Sequence, residues 1–418
     1  MAWGFVDGAT IIRSVERANC TSTVTASDIL GNPDYKGIAY SGYRGVSREQ
    51  QPTLAEIKED LRILHAMNIR VLKTFDVHYP HAANVLKAIE ELKEEDRGFE
   101  MYVMLGTWIN CKHAETPGVL PDHSQEDLEF NTEEIDKAVG LINRYPEIVK
   151  MVSVGSEAMV HWAESYYVQP EVILKWVNYL QALKREGRLP KDLWVTASDN
   201  FASWGGGDSS YHGKALDELI RAVDFISMHT YPYLDTHYQP VFWGQKKDEE
   251  HLPIEEKLEK VMSRAVTFAQ SQYDAVAQYV KRVDPLKPIH IGETGWATVC
   301  EGFFGDDGSQ ASDELKQALY YQKFQLWCME ARITCFYFEA FDEPWKDVVN
   351  PAGEENHFGL FTVEGKAKYV IWSLIDEGAF DGLRRGGNPI VKTFDGDTSQ
   401  LINEVLIPPV NYALSDQE

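Results

Sequence analysis

A chain of 418 residues, 44% hydrophobic and 25% charged, has the make-up of a globular protein with a large buried core, which excludes a disordered one. Its formal charge of -25 is spread through acidic runs such as Glu90, Glu91 and Glu94, Glu95, Asp96, the solvated faces of helices. With no Arg/Lys stripe to offset it, this charge excludes a polyanionic partner such as nucleic acid.

In chain order, residues 1–35 form an N-terminal extension, after which short apolar runs alternate with segments of helical period. The runs are 37–41, 70–75, 100–107, 149–155, 193–197, 225–229, 288–292 and 334–338, each rich in Val, Ile, Met or aromatic residues. Helices are predicted over 53–67, opened by a Thr53/Glu56 capping box, and over 131–145, 172–186, 213–223, 261–283 and 310–331. A long connection over 232–253 carries Tyr233, Tyr238, Phe242 and Trp243, and a C-terminal extension runs over 377–418. Eight strands in βα alternation close a parallel barrel, so the chain reads as one (β/α)8 domain spanning 1–418 with its core over about 36–376. Long loops after barrel strands build the catalytic mouth, which marks 232–253 as a wall of the site.

The five cysteines, Cys20, Cys111, Cys300, Cys328 and Cys335, contain no CxxC pair, which argues for free thiols over a zinc knuckle or disulfide scaffold. No apolar run reaches the ~20 residues of a membrane span, and the N-terminus lacks a basic segment followed by an apolar core. His78 and His81 lack a third ligand at metal spacing, Gly205 to Gly207 lack the Lys-Ser/Thr of a phosphate loop, and no Gly-x-Ser-x-Gly elbow occurs. Nothing in the sequence sets an oligomeric state.

Residues that follow barrel strands point into the catalytic mouth, and here they are Asp76, Trp108, Glu157, Asp199, Tyr231 and Glu293, with strand 8 running to Glu339 and Glu343. Glu157 and Glu293 end strands 4 and 7, which can face each other across a barrel. Two facing carboxyls suit glycoside cleavage, one protonated to assist the leaving oxygen and one ionised to attack. Met159, Trp162 and Trp296 offer Glu157 an apolar setting that would keep it protonated. Asp199 and Asn200 read as turn residues satisfying local backbone groups.

Val154-Gly155-Ser156-Glu157 and Ile291-Gly292-Glu293-Thr294-Gly295-Trp296 resemble the acid/base and nucleophile motifs of glycoside hydrolase family 17. The likeness to bacterial members continues through Ile29-Leu30-Gly31-Asn32-Pro33, Ile38-Ala39-Tyr40-Ser41-Gly42-Tyr43-Arg44 and Phe338-Glu339-Ala340-Phe341-Asp342-Glu343-Pro344-Trp345-Lys346. It implies a retaining β-1,3-glucanase without metal or cofactor, acting on laminarin-type glucan or its oligosaccharides, with Glu157 as acid/base and Glu293 as nucleophile. By the same resemblance Glu343 and Lys346, as a pair, line the glucosyl site and Tyr231 stands near the nucleophile. Trp296, Tyr40, Asp76, Trp108 and Trp345 join them as candidate sugar contacts. Ser156 departs from the family pattern, which places Asn before the acid/base to serve the sugar 2-hydroxyl; a serine there is a shorter donor and acceptor. The 232–253 loop and the C-terminal extension favour a closed cleft and exo action, glucosyl transfer and a silent glucan-binding barrel being the alternatives. A polymeric substrate implies a periplasmic or secreted protein.

Overall fold

The computed structural model describes residues 23–415; residues 1–22 of the N-terminal extension, Cys20 among them, and residues 416–418 lie outside the described part. Eight parallel strands close a barrel: β1 (Lys36–Ala39), β2 (Ile69–Lys73), β3 (Tyr102–Thr107), β4 (Val149–Ser156), β5 (Trp194–Asn200), β6 (Ile226–His229), β7 (Ile289–Thr294) and β8 (Cys335–Tyr337). β8 returns to pair with β1, Gly37 opposite Phe336. The (β/α)8 barrel is therefore the fold.

Around it run α1 (Leu54–Ala66), α2 (His81–Glu95), α3 (Leu128–Arg144), α4 (Pro170–Arg185), α5 (Lys214–Ala222), α6 (Ile254–Val283) and α7 (Glu314–Ala331), with a short turn of helix, Trp372–Asp376, after β8. The Thr53 box is present: its hydroxyl accepts from Glu56 N at 3.2 Å, while Thr53 N donates to the Glu56 carboxylate at 2.8 Å. The acidic run 90–96 lies on α2 and its C-terminal end, a helix not separately predicted.

The apolar residues divide into two sets. One large set fills the space between helices and barrel wall; a smaller one, Val71, Tyr102, Met104, Met151, Phe225 and Phe336, fills the barrel interior. Ala26 and Ile29, from a short helix in the N-terminal extension, join that interior set and close the barrel floor. Because strand side chains alternate, the residues two places beyond these interior positions also point inward, nearer the mouth. Lys73, two after Val71, and Ser153, two after Met151, occupy that upper layer.

The long connection contains a helix, Pro232–Tyr238, and its aromatic residues are mostly core. Tyr233 packs against Trp296, Phe304 and Phe358, and Trp243 against Trp296. The C-terminal extension follows the outside of the barrel: Arg385 is buried on Asp60 of α1, Lys316 of α7 donates to Leu406 O, and Gln245 N to Pro409 O. The start of the 232–253 loop stays near the mouth, since Tyr233 and Tyr231 both pack on Phe358. Among the described residues no helix is long and apolar enough to cross a membrane. Cys111, Cys300, Cys328 and Cys335 are free thiols.

Candidate active site

The two glutamates reach the barrel mouth through matched irregularities. Along β6 and β7, Met228 stands opposite Ile291 but His229 opposite Glu293, so β7 holds one extra residue, Gly292. Along β4 and β5, Ser153 stands opposite Thr196 and Ser156 opposite Ser198, again one residue too many on the glutamate's strand. Such bulges re-aim a side chain, here turning Glu293 inward and carrying Glu157 beyond the strand end with φ at 49°. Glycine is required in both. A Cβ on Gly292 would lie 2.2 Å from Ser227 Oγ and 2.5 Å from Ser198 Oγ, and Gly155 has φ at 81° with Ala158 Cβ 2.8 Å away.

His229 links the pair. It is fully buried at the end of β6, its Nδ1 lying 3.0 Å from Glu157 Oε1 and 3.6 Å from Glu293 Oε2. One nitrogen touching both carboxyls places them in a single site. Its Nε2 faces Ser198 Oγ at 2.6 Å and Lys73 Nζ at 3.2 Å. An ammonium only donates, so Nε2 is the acceptor and Nδ1 carries the proton. Burial drives the imidazole pKa down to about 3, leaving the ring neutral.

The surroundings of the two carboxyls differ. Glu293 Oε1 accepts from Lys73 Nζ, and Oε2 accepts from Tyr231 OH at 2.8 Å. Burial opposes its ionisation, but the Lys73 ammonium and the Tyr231 hydroxyl outweigh burial and hold the carboxyl below the usual carboxylate range. Burial together with the Glu293 and Asp199 carboxylates pushes Glu157 well above the usual range. At neutral pH the site therefore holds one ionised and one protonated carboxyl, the division of labour glycoside cleavage needs. Of the three apolar residues expected to set Glu157, Met159 and Trp296 are buried and Trp162 is exposed; burial first, then repulsion from Glu293 and Asp199, raises Glu157.

Around this centre, Glu343 accepts from Ser41 Oγ at 2.7 Å, Tyr43 N at 3.0 Å and Trp345 Nε1 at 2.9 Å. Lys346 pairs first with Glu339 and stands 3.7 Å from Glu343, so the predicted pair is a triad. Asp76 holds Arg48, whose guanidinium lies over Tyr79 at 4.4 Å and Trp345 at 5.0 Å. Trp108 gives its indole N–H to Asn110 and packs on Tyr166. Ser156 is buried at the end of β4.

Two predicted sugar contacts are corrected. Trp296 is fully buried and donates to Ala311 O at 2.8 Å; Tyr40 is fully buried and donates to Asp60 at 3.1 Å. Both are walls of the core behind the site. Asp199 accepts from Met159 N and Asn200 N, each at 2.8 Å, in keeping with its reading as a satisfier of backbone groups. Sequence reasoning missed Lys73, His229, Ser198 and Arg48. The available signal was a lysine within one apolar run and a histidine closing another, both at inward positions, where a titratable group is costly unless partnered. Among the described residues no cluster of His, Cys, Asp and Glu could hold a metal ion.

A (β/α)8 barrel whose mouth joins one ionised and one protonated glutamate through a neutral histidine defines a glycoside hydrolase. The chain belongs to the BtgE/BtgC glycoside hydrolase domain family, which matches residues 37–359, in keeping with the family 17 resemblance. Among solved structures it is similar to an endo-laminarinase from Formosa Hel1_33_131, at 57% identity and a TM-score of 0.93 over 94% of this chain and 100% of that one. A glucan 1,3-beta-glucosidase from Arthroderma benhamiae is 28% identical over 265 residues, 60% of this chain and 69% of that one. A glycoside hydrolase family 17 beta-1,3-glucanosyltransferase from Rhizomucor miehei shares the fold, with 20% identity and a TM-score of 0.55 over 81% and 96% of the two chains.

Proposed function

We propose that this protein hydrolyses β-1,3-glucan by a retaining mechanism and cuts within the chain. The observation that carries the chemistry is His229 Nδ1 in reach of both carboxyls. It favours the short separation, about 5–5.5 Å, at which the second carboxyl attacks directly; an inverting pair stands ~6.5–9.5 Å apart to admit a water. Glu293 attacks the anomeric carbon as Glu157 gives its proton to the leaving oxygen, and Glu157 then takes a proton from the water that releases the sugar. The likeness to an endo-laminarinase over nearly the whole chain supports the substrate and internal cleavage. From that substrate we also propose a place in the periplasm or outside the cell.

Timed chromatography of laminarin digestion, with Glu157→Gln and Glu293→Gln in parallel, tests this. Mixed oligosaccharides from the first minutes are expected, and both variants should lose activity by at least about a thousandfold. Glucose as the sole early product would overturn internal cleavage. Lengthened chains would show that transfer replaces hydrolysis.

A further inference from the structure

The buried His229 is used by neither half of the two-glutamate scheme, yet among the described residues it is the one side chain with a nitrogen in reach of both carboxyls. Its four polar neighbours come from four strands: Lys73 of β2, Glu157 after β4, Ser198 of β5 and Glu293 of β7. Asp199, beside Ser198, turns to the backbone N–H groups of Met159 and Asn200, and Tyr231 gives its hydroxyl to Glu293. With Nε2 facing Lys73 and Ser198, the ring has one proton to offer, on Nδ1, and two carboxyls within reach of it.

Resting on the retaining reading above, we propose that His229 is a positioning residue whose Nδ1–H, held between the two carboxyls, is poised to stabilise the negative charge that passes from Glu293 to Glu157 as the covalent intermediate forms and breaks. In the free enzyme Glu293 is the anion and Glu157 carries the proton. When a Glu293 oxygen bonds the anomeric carbon, the bond to the leaving oxygen breaks and takes the Glu157 proton. Glu293 is then a neutral ester and Glu157 a carboxylate. The charge has crossed the site, and the N–H already stands 3.0 Å from Glu157 Oε1, where it stabilises the base that must next deprotonate water. Water then supplies oxygen to the anomeric carbon and its proton to Glu157, the ester bond breaks, and the charge returns to Glu293. Lys73 and Ser198 keep the ring in the tautomer that can do this. Without their contacts to Nε2, the proton could sit on the wrong nitrogen.

The role predicts a selective defect in the second half-reaction. His229→Leu keeps the bulk and removes the donor; His229→Asn keeps an N–H at the position of Nδ1. With an aryl β-laminarioligoside bearing a good leaving group, the leucine variant should lose kcat by about ten- to a hundredfold, the weight of one hydrogen bond to a charged group. KM should fall with it, a burst of the phenol should appear, and a glycosyl adduct on Glu293 should accumulate in the mass spectrum. The asparagine variant should recover most of kcat. Equal losses of kcat and kcat/KM without a burst, or an asparagine variant as poor as leucine, would overturn the proposal. The unmodified protein gives a second measure: 15N shifts of His229 should report a neutral ring protonated on Nδ1 from pH 5 to 8, and an Nε2–H ring or an imidazolium would overturn it. Product configuration separates the two readings. Inverted product from the unmodified protein overturns the retaining mechanism and this role with it, whereas retained product with an unaffected leucine variant overturns this role alone.

Discussion

Glu157 and Glu293 reach the same histidine nitrogen, and the charge each holds is decided by what else it faces. Lys73 and Tyr231 face Glu293, whereas Glu157 meets the carboxylates of Glu293 and Asp199. The acid limb of kcat/KM then reports Glu293 losing its charge as pH falls, and the alkaline limb reports Glu157 losing its proton as pH rises. Lys73→Met removes the cation that favours the Glu293 carboxylate, so that carboxyl protonates at higher pH. The acid limb should move upward by at least about one unit, with kcat/KM reduced about tenfold or more at the optimum. An acid limb unmoved in the variant would show that Lys73 does not set the charge of Glu293.

Strands, helices and the bulges between them were unequally visible before the fold. The eight apolar runs and the Thr53 cap rest on local periodicity and on a side chain that satisfies its own helix end, and both stand where the pattern put them. The extra residues at Gly155 and Gly292 could not be read, because a bulge exists only relative to a partner strand. Arg385 poses the same difficulty at longer range. It lies 325 residues from Asp60, whose carboxyl also accepts from Arg44 and Tyr40, and all but Arg44 are fully buried. Removing one partner of a buried charge pair leaves the other poorly compensated, at a cost of about 3–5 kcal/mol. Arg385→Ala should lower stability by roughly that amount in urea titration, and it should do so without changing KM if the C-terminal extension serves the body of the barrel and not the cleft. An unchanged midpoint would show that the extension is an ornament.

Across the whole molecule, burial sets a pH dependence separate from catalysis. His290 sits low in β7, its Nδ1 accepts from Thr334 N at 3.1 Å, and burial lowers its pKa to about 4. Because the folded pKa lies below the unfolded value of about 6.5, the unfolded chain takes up a proton that the folded one refuses. The contribution is intact above pH 6.5 and is lost as pH falls towards 4. Between pH 7 and 5 the unmodified protein should lose about 2 kcal/mol more stability than His290→Asn, whose amide oxygen can still accept from Thr334 N. Equal losses would show that the ring is protonated in the fold. Composition, period-two and period-3.6 patterns and the motif glutamates by themselves determined the barrel, most of its helices and the strand ends that carry Glu157 and Glu293, since each is a property of neighbours along the chain. The inward aim of those carboxyls, their opposite charge states, the burial of Tyr40 and Trp296, and the joining of Lys73, Ser198 and His229 were decided only by barrel closure. Closure brings together strands far apart in sequence, and desolvation and Coulomb forces act through space.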